Sequence, residues 1–302
     1  MPAHSEPRIL VIGQTGQLAQ ALARVDFGSG TQMRFVGRSE VDLSHPSDIG
    51  PIIEQWAPHL IINAAAYTAV DRAQSEPQLA FAVNRDCVGV MAEAAARIDA
   101  AMIHISTDYV FDGTRAAAYS EDDLEVPKSV YGQSKFEGEA LLRAHLLRHV
   151  ILRTSWVFSP TGSNFVKTML RLGAERTEIG VVADQRGRPT YAPDLAQWIA
   201  VIARKLVARE GTLGVFHAAN ADATTWADFA QAIFDGAEKR GCRVPETLKR
   251  ITTAEYPTPA QRPANSVLST ARLESAYDIS IRSWRPALSE CLDLLVGKEK
   301  QQ

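Results

Sequence analysis

The residues with the clearest chemical potential are a tyrosine and a lysine four positions apart, in Tyr131-Gly-Gln-Ser-Lys135. On a helix this spacing places both side chains on one face, where the ammonium lowers the pKa of the phenol and lets it exchange a proton near neutral pH. Thr107 precedes the pair and offers a hydroxyl that could hold the same substrate oxygen. A tyrosine and a lysine at this spacing also arise by chance. Their place behind a glycine turn favours proton transfer at a substrate oxygen.

The glycine turn reads Gly13-x-x-Gly16-x-x-Ala19 and follows the apolar segment Arg8–Ile12. Small residues let the backbone approach a pyrophosphate, whose charge the N–H groups and the helix dipole stabilise. Ala19 replaces the third glycine, a position that mainly serves helix–strand packing. The turn after a first strand predicts dinucleotide binding, and an ordinary tight strand–helix turn is the alternative.

The residues after the second predicted strand, 33–36, indicate the choice of cofactor. Where an acidic residue would bind an adenosine ribose, the chain has Gly37-Arg38-Ser39. A guanidinium beside a hydroxyl suits a 2′-phosphate, so Arg38 favours NADPH, with NADH possible. The alternative is a solvated surface arginine.

The elements that must position these residues alternate along the first half of the chain. Apolar strands are predicted at 8–12, 33–36, 60–63, 101–105 and 150–153, and helices at 17–24, 47–56, 78–97 and 130–147. This alternation predicts an α/β fold, a Rossmann-type doubly wound parallel sheet with helices on both faces. The predicted NAD(P)-binding domain is 1–158, to which 193–218 return.

A smaller α/β substrate-binding lobe is predicted from 159–192 and 219–302. Its predicted helices are 165–171, 226–240 and 285–296, and the rest of it is predicted to be irregular. The returning segment is predicted to hold a helix at 193–207 and a strand at 215–218.

Composition narrows the class of partner. The 302 residues carry 32 Lys+Arg and 35 Asp+Glu, a net charge of −3, without a basic block. This balance argues against nucleic acid as a partner. The weakly polar run 60–70 is too short to cross a bilayer, no signal segment is recognised, and three scattered cysteines are typical of a reducing compartment. We therefore expect a cytoplasmic protein without a membrane partner.

No metal site is predicted. His145 and His149 have a spacing that could hold zinc, but they lie beside Arg143 and Arg148 on what the pattern indicates is a solvated helix end.

The Tyr-x-x-x-Lys pair behind a glycine turn resembles the extended short-chain dehydrogenase/reductase superfamily. Further segments resemble the dTDP-4-dehydrorhamnose reductase family within it, over nearly the whole chain. These segments are Asn63-Ala-Ala-Ala-Tyr-Thr-Ala-Val-Asp71, Ser106-Thr-Asp-Tyr-Val-Phe-Asp-Gly113, Arg153-Thr-Ser-Trp-Val-Phe158, Asn164-Phe165 to Leu170, Asp184-Gln-x-Gly-x-Pro-Thr190 and Tyr256-Pro-Thr-Pro-Ala-x-Arg-Pro263.

The resemblance implies roles for individual residues. Tyr131 would be the proton donor, Lys135 its electrostatic partner and a ligand of the nicotinamide ribose, and Thr107 the orienting hydroxyl. The other implied cofactor contacts are Gly13, Gly16, Gln17 and Leu18 at the phosphates, Asp42 and Leu43 at the adenine, Ala66, Tyr67 and Thr68 along the ribose and pyrophosphate, and Ile105.

The implied substrate contacts are Thr107, Asp108 and Trp156 at the deoxysugar, and Arg262 and Asn265 near the nucleotide diphosphate. Core packing is the alternative for Trp156, and an exposed loop contact is the alternative for Arg262 and Asn265.

The resemblance further implies NADPH-dependent reduction of the C4 keto group of dTDP-4-dehydro-β-L-rhamnose to dTDP-β-L-rhamnose, the last step of dTDP-rhamnose biosynthesis. Two alternatives stay open: a sugar-nucleotide epimerase or dehydratase of the same superfamily, and a non-catalytic regulatory subunit. The chain would be a monomer or a homodimer. Some members of the family that this chain resembles carry an acidic residue in the first helix that is associated with metal-bridged dimers. Residues 17–24 carry no acidic side chain, so such a dimer is not expected.

Overall fold

A computed structural model describes residues 6–299. The strands in chain order are β1 (Arg8–Ile12), β2 (Gln32–Val36), β3 (Leu60–Asn63), β4 (Ala101–Thr107), β5 (His149–Thr154), β6 (Val157–Phe158), β7 (Glu178–Val182), β8 (Arg186–Gly187), β9 (Thr190–Tyr191), β10 (Gly214–His217), β11 (Thr224–Thr225) and β12 (Thr247–Ile251). The helices are α1 (Gln17–Leu22), α2 (Ile49–Trp56), α3 (Val70–Ala73), α4 (Pro77–Phe81), α5 (Cys87–Arg97), α6 (Val130–His145), α7 (Phe165–Glu175), α8 (Ala192–Val207), α9 (Trp226–Glu238), α10 (Ala271–Tyr277) and α11 (Trp284–Glu299).

Six parallel strands form the main sheet in the order β2-β1-β3-β4-β5-β10. The strand order reverses between β1 and β3, because the chain first adds β2 on one side of β1 and then builds outward on the other. In doubly wound sheets the ligand crevice lies at this reversal, beyond the carboxyl ends of the strands. The crevice is therefore expected next to Ile12, Val36 and Asn63, which are in register at those ends.

The sheet is covered on both faces because its central strands are apolar on both. Alternate residues such as Val11 and Ile62 pack against α1 and α8, and their neighbours Leu10 and Ile61 pack against α2, α5 and α6. This confirms the predicted Rossmann-type doubly wound sheet.

The chain leaves this sheet after β5 and returns to it with α8 and β10. Leu195, Ile199 and Phe216 lie in its core, and so do Leu273 and Tyr277 of α10. The boundaries of the two lobes along the chain stay a prediction.

A second core joins α7, α9 and α11 with the short strands of the remaining chain. Phe158, Phe229 and Trp284 are buried at its centre. β7 and β12 pair in parallel here, so the prediction that the rest of the smaller lobe is irregular is wrong for 247–251, and it is also wrong for 271–277, which form α10. The pairing links segments far apart in sequence, which no local pattern in either segment specifies.

Most predicted elements occur within a few residues of their predicted bounds, with one break. The predicted helix 78–97 is α4 and α5 joined by a π-helical turn, Ala82–Asp86. Among the described helices, none has the length and apolar character needed to span a membrane. Within residues 6–299, no group of three or more His, Cys, Asp or Glu side chains could hold a metal ion.

Candidate active site

The helix that carries the tyrosine–lysine pair is pressed against the end of β4 and the π-helical turn. α6 begins at Ser129, whose hydroxyl accepts a hydrogen bond from the Gly132 amide at 3.1 Å. A Cβ atom on Gly132 would lie 2.3 Å from the carbonyl oxygen of Tyr109, and one on Gly138 would lie 2.0 Å from that of Asn84. Only glycine permits this approach, which brings the start of α6 to the carboxyl end of β4.

A buried ion pair holds α6 against the main sheet. Arg153 donates to both carboxylate oxygens of Glu139, at 3.0 and 2.6 Å, and also to Glu125 at 2.6 Å. The hydroxyl of Ser106, next to Thr107, donates to the same Glu139. Arg153 and Glu139 are both fully buried, so the pair fixes α6 relative to β4 and β5.

Thr107 and Tyr131 meet at this junction. The Thr107 hydroxyl accepts from the Tyr109 amide at 3.2 Å and donates to Asp108 Oδ1 at 3.1 Å. Burial raises the pKa of Tyr131 well above its ordinary value, and a hydrogen bond with Thr107 partly opposes that rise. The lowered phenol pKa predicted from the Tyr–Lys spacing is therefore wrong for this chain, because burial of the phenol decides the direction of the shift. The ring of Tyr109 stands edge-on to Tyr131, with centroids 5.5 Å apart. Tyr131 is therefore a neutral phenol near pH 7, the form that can donate a proton.

Lys135 lies one turn further along α6 and is buried. Its Nζ atom donates to the carbonyl oxygen of Ile105 at 2.6 Å and lies 3.1 Å from His104 Nε2. Burial lowers the pKa of Lys135 to about 8, and nearby Glu139 acts in the opposite direction. The site therefore contains a lysine that can change its charge near neutral pH.

Asp108 is buried at the same strand end, and its Oδ2 atom has no hydrogen-bond partner among the described residues. Burial raises the pKa of this carboxyl to about 6, although hydrogen bonds with Ser266 and Thr107 lower it. An unpartnered carboxylate oxygen of this kind suits a hydroxyl donor on a ligand.

The raised pKa of Asp108 predicts a pH-dependent stability. Because the folded-state pKa of about 6 exceeds the ordinary value of 3.8, the contribution of Asp108 to stability is fully present below pH 3.8 and is lost as the pH rises through 6. Relative to Asp108→Asn, the free energy of unfolding of the wild type is expected to fall by on the order of 2–3 kcal/mol between pH 4 and 7. Urea denaturation at several pH values measures this difference.

Asp112→Asn is the matched control. The Thr114 amide lowers the pKa of Asp112, so this variant should lose stability relative to the wild type as the pH rises through the acidic range. If the free energy of unfolding changed with pH equally in the wild type and in Asp108→Asn, the prediction would be contradicted.

The glycine turn provides open space beside the reversal point. Gly13 has a φ of +117°, and its amide donates to the carbonyl of Val36 at 2.8 Å. No atom lies within 4 Å of the position that a Cβ atom on Gly16 would occupy. A Cβ atom on Gly37 would lie 2.6 Å from the Gln14 side chain, so glycine lets the end of β2 pack against the turn. Exposed Arg38 follows immediately. These features fit a phosphorylated dinucleotide lying along the turn.

The other predicted phosphate and adenine contacts differ in what their side chains do. Gln17 accepts hydrogen bonds from Ser159 and Asn164 at 3.0 and 2.9 Å and so links α1 to the second core region. Leu18 is buried in the sheet core, which leaves only its backbone for a ligand. Asp42 is exposed and accepts from the Ser44 amide, while Leu43 packs on the opposite face of the sheet.

The loop after β3, Ala66–Thr68, is held by a residue that the sequence did not single out. Asn84, in the π-helical turn, accepts from the Tyr67 amide at 2.9 Å and donates to the Tyr67 carbonyl at 3.0 Å. It also donates to Ser134 of α6 at 3.0 Å. The available signal was a buried asparagine within an apolar helical pattern.

The predicted sugar contact Trp156 has a φ of +49° and stacks on Trp226 with centroids 3.6 Å apart. The Gly187 backbone approaches its ring so closely that a Cβ atom there would lie 2.5 Å away. The indole is thus well packed and only partly exposed, and its contact with a sugar stays a prediction.

The structure separates the two predicted diphosphate contacts. Arg262 donates to Asp71 at 2.7 Å and to the hydroxyl of Tyr109 at 3.2 Å, and the ring of Tyr109 in turn contacts Tyr131. Asn265 donates instead to the carbonyls of Arg115 and Ala117 at 2.7 and 2.9 Å. Its amide therefore holds a loop, and a ligand contact of Asn265 stays a prediction.

Comparison with known proteins agrees with this geometry. Residues 7–296 match the family model for the RmlD substrate binding domain. The dTDP-4-dehydrorhamnose reductase of Aggregatibacter actinomycetemcomitans is 45% identical over 285 residues, 93% of this chain and 97% of that protein.

Solved structures show the same similarity. A dTDP-4-dehydrorhamnose reductase from Clostridium acetobutylicum is 35% identical with a TM-score of 0.87, covering 95% of this chain and 99% of that one. The Bacillus anthracis enzyme of the same name, solved in complex with NADP, is 33% identical with a TM-score of 0.87, covering 95% and 98%.

The doubly wound sheet, the glycine turn and the Thr107–Tyr131–Lys135 set define an extended short-chain dehydrogenase/reductase, an oxidoreductase. With near-complete coverage at up to 45% identity, the chain belongs to the dTDP-4-dehydrorhamnose reductase family. The resemblance inferred from the sequence is thereby confirmed.

Proposed function

We propose that this chain uses NADPH to reduce the C4 keto group of dTDP-4-dehydro-β-L-rhamnose, giving dTDP-β-L-rhamnose. The observation that carries the proposal is the meeting of Thr107, Tyr131 and Lys135 beyond the carboxyl end of β4, in a chain that resembles such reductases throughout. The NADP named in the Bacillus anthracis structure supports the choice of cofactor.

When bound, the reduced nicotinamide supplies a hydride to the carbonyl carbon. The neutral Tyr131 hydroxyl donates its proton to the oxygen that becomes the alcohol, and Thr107 orients that oxygen. Tyr131 is left as a phenolate, which the ammonium form of Lys135 stabilises from one turn away on α6. The phenolate then regains a proton that comes ultimately from solvent, so the ketone has gained one hydride and one proton in total.

Loss of reduced-nicotinamide absorbance tests the proposal, with NADPH and NADH measured side by side on dTDP-4-dehydro-L-rhamnose. Rapid oxidation with dTDP-rhamnose as product is the expected result. Bound NADPH without oxidation, in the absence of any other protein, would favour a regulatory subunit or a different keto sugar.

A dehydratase or epimerase is the second candidate on this scaffold. A Thermus thermophilus UDP-glucose 4-epimerase, at 18% identity and a TM-score of 0.76, shares the fold. A dehydratase needs an acid pair after the hydroxyl residue of β4, and this chain has Asp108 followed by Tyr109. Cofactor that washes out freely during purification would count against both, since such enzymes retain and recycle it.

Arg38 is expected to set the preference for NADPH. Arg38→Ala should raise the KM for NADPH about tenfold and change that for NADH little, because a charge-assisted contact to a 2′-phosphate is lost at an exposed position. Steady-state kinetics with both cofactors measure the ratio. Arg34→Ala is the control, since Arg34 lies on β2 but pairs with Glu40 at 2.8 Å. An equal rise in the KM for NADPH and for NADH would refute the assignment of Arg38 to the 2′-phosphate.

A further inference from the structure

A buried line of hydrogen bonds leads from the loop after β3 to Lys135. The Ala65 amide donates to Asn63 Oδ1 at 3.2 Å, and Asn63 Nδ2 lies 3.1 Å from His104 Nδ1. His104 Nε2 lies 3.1 Å from Lys135 Nζ, which donates to the Ile105 carbonyl at 2.6 Å. Asn63, His104 and Lys135 are each at most 1% exposed.

The Ala65 end of this line, together with a neutral His104 ring, fixes the direction of the bonds from Asn63 to Lys135. A backbone amide can only donate and a carbonyl can only accept. Because Asn63 Oδ1 accepts from Ala65, the Nδ2 group faces His104 and donates to Nδ1. Burial lowers the pKa of His104 well below its ordinary value, so the ring is neutral and carries its single proton on Nε2, facing Lys135.

We propose that His104, fixed by Asn63, is a positioning residue that sets the protonation state of Lys135, because its Nε2–H favours the neutral amine over the ammonium. The neutral amine has one lone pair, which accepts from His104, and N–H bonds that reach the Ile105 carbonyl. In this state every member of the line has a partner.

The ammonium form breaks the line. It has three donors and no acceptor, so it would require a lone pair on His104 Nε2 and move the ring proton to Nδ1. That proton would face the Asn63 NH₂ group, and turning the amide would leave the Ala65 amide without its acceptor. An unsatisfied buried donor of this kind shifts the protonation equilibrium by roughly tenfold or more.

The other charged and titratable groups around Lys135 do not account for this preference for the neutral amine. On α6 they are Tyr131, one turn before, and Glu139, one turn after, whose charge is paired with Arg153 of β5. His104 itself is influenced by Lys135 and by His149 of β5, and both disfavour its protonation. Glu139 favours the ammonium and burial disfavours it. The line through His104 and Asn63 acts in the same direction as burial.

The catalytic consequence rests on the proposed function. A Lys135 ammonium that readily loses a proton can return one to the Tyr131 phenolate after product formation. The Nζ–H bond breaks, the phenol O–H bond forms, and the resulting amine accepts from His104 until solvent reprotonates it. In a variant without His104, the fall of kcat at alkaline pH should therefore occur at a higher pH.

The test uses the cofactor-free protein, so it does not depend on the identity of the substrate. Nitrogen-15 spectra of histidine-labelled protein should contain the signals of a histidine with a protonated Nε2 and a bare Nδ1 that are lost in His104→Gln; His59, whose Nδ1 accepts from the Arg8 amide, should give signals of the same kind that stay in the variant. The carbon-13 shift of the Lys135 ε-carbon, assigned with Lys135→Met, should titrate near pH 8. In His104→Gln that midpoint should rise by at least about one pH unit, because a glutamine amide can turn its oxygen toward the ammonium.

His149→Gln is the matched control, since His149 bonds the Leu146 carbonyl and makes no hydrogen bond to Lys135 within residues 6–299. The Lys135 midpoint should be unchanged in this variant. Asn63→Asp is a second variant in case His104→Gln does not fold, and a carboxylate there should also raise the midpoint by forcing the proton onto Nδ1. An Nδ1–H tautomer in the wild type, or an unchanged midpoint in the folded variants, overturns the inference. If Lys135 titrates as expected in the wild type and the variants but the wild type does not oxidise NADPH with the keto sugar, the result would instead count against the proposed function.

Discussion

Tyr131→Phe is expected to lower kcat by about 10²- to 10⁴-fold while leaving the Kd for NADPH nearly unchanged, because the substitution removes only a positioned proton donor. The ring itself would keep its edge-on contact with Tyr109. Stopped-flow or steady-state oxidation of NADPH measures kcat, and quenching of protein fluorescence measures cofactor binding.

Tyr277→Phe is the matched control for this change. Its hydroxyl donates to the Thr212 carbonyl on the sheet face covered by α10, so its removal should affect stability and not kcat. Full kcat in Tyr131→Phe would show that another group, or water, protonates the product oxygen.

Glu139→Leu is expected to lower the free energy of unfolding by about 3–5 kcal/mol, because it leaves the Arg153 guanidinium buried with only Glu125 as a partner. The change would also release the end of β4 from α6, since Ser106 loses its acceptor. Urea denaturation monitored by circular dichroism measures the loss.

Two further variants separate burial of a charge from loss of a helix residue. Glu137→Leu, two positions earlier on α6, removes a partly exposed pair with Arg85 at 3.1 Å and should cost less than about 1 kcal/mol. Glu139→Leu combined with Arg153→Met should recover much of the stability, since neither charge is then buried alone. A double variant as unstable as the single one would contradict this account.

The parts of the fold that the sequence predicted are those with local signals. β1 and β3 are short apolar runs, and their predicted bounds match the observed ones. β12 was missed because Thr247–Ile251 is half exposed, and its strand conformation depends on pairing with β7, far away in the chain.

The site divides in the same way. Tyr131 and Lys135 follow from a fixed spacing on one helix, and the Gly13–Gly16 turn follows from its place after an apolar strand. His104 and Asn84 act through partners that are distant in sequence, so their contacts could not be predicted from the sequence. Arg262 was selected for a phosphate, and only the folded chain shows that it pairs with Asp71, 191 positions away.

The position of β10 at the edge of the main sheet has a consequence for synthesis on the ribosome. β5 ends about 60 residues before β10 is complete, a gap of roughly 3–12 s at ordinary elongation rates. Until then the apolar Val150–Leu152 edge of the nascent chain has no strand beside it, and such an edge is a template for aggregation. Fragments that stop before β10 would keep that edge open permanently. The dinucleotide half of this molecule is therefore not a module that can be cut out of the chain as a continuous N-terminal piece.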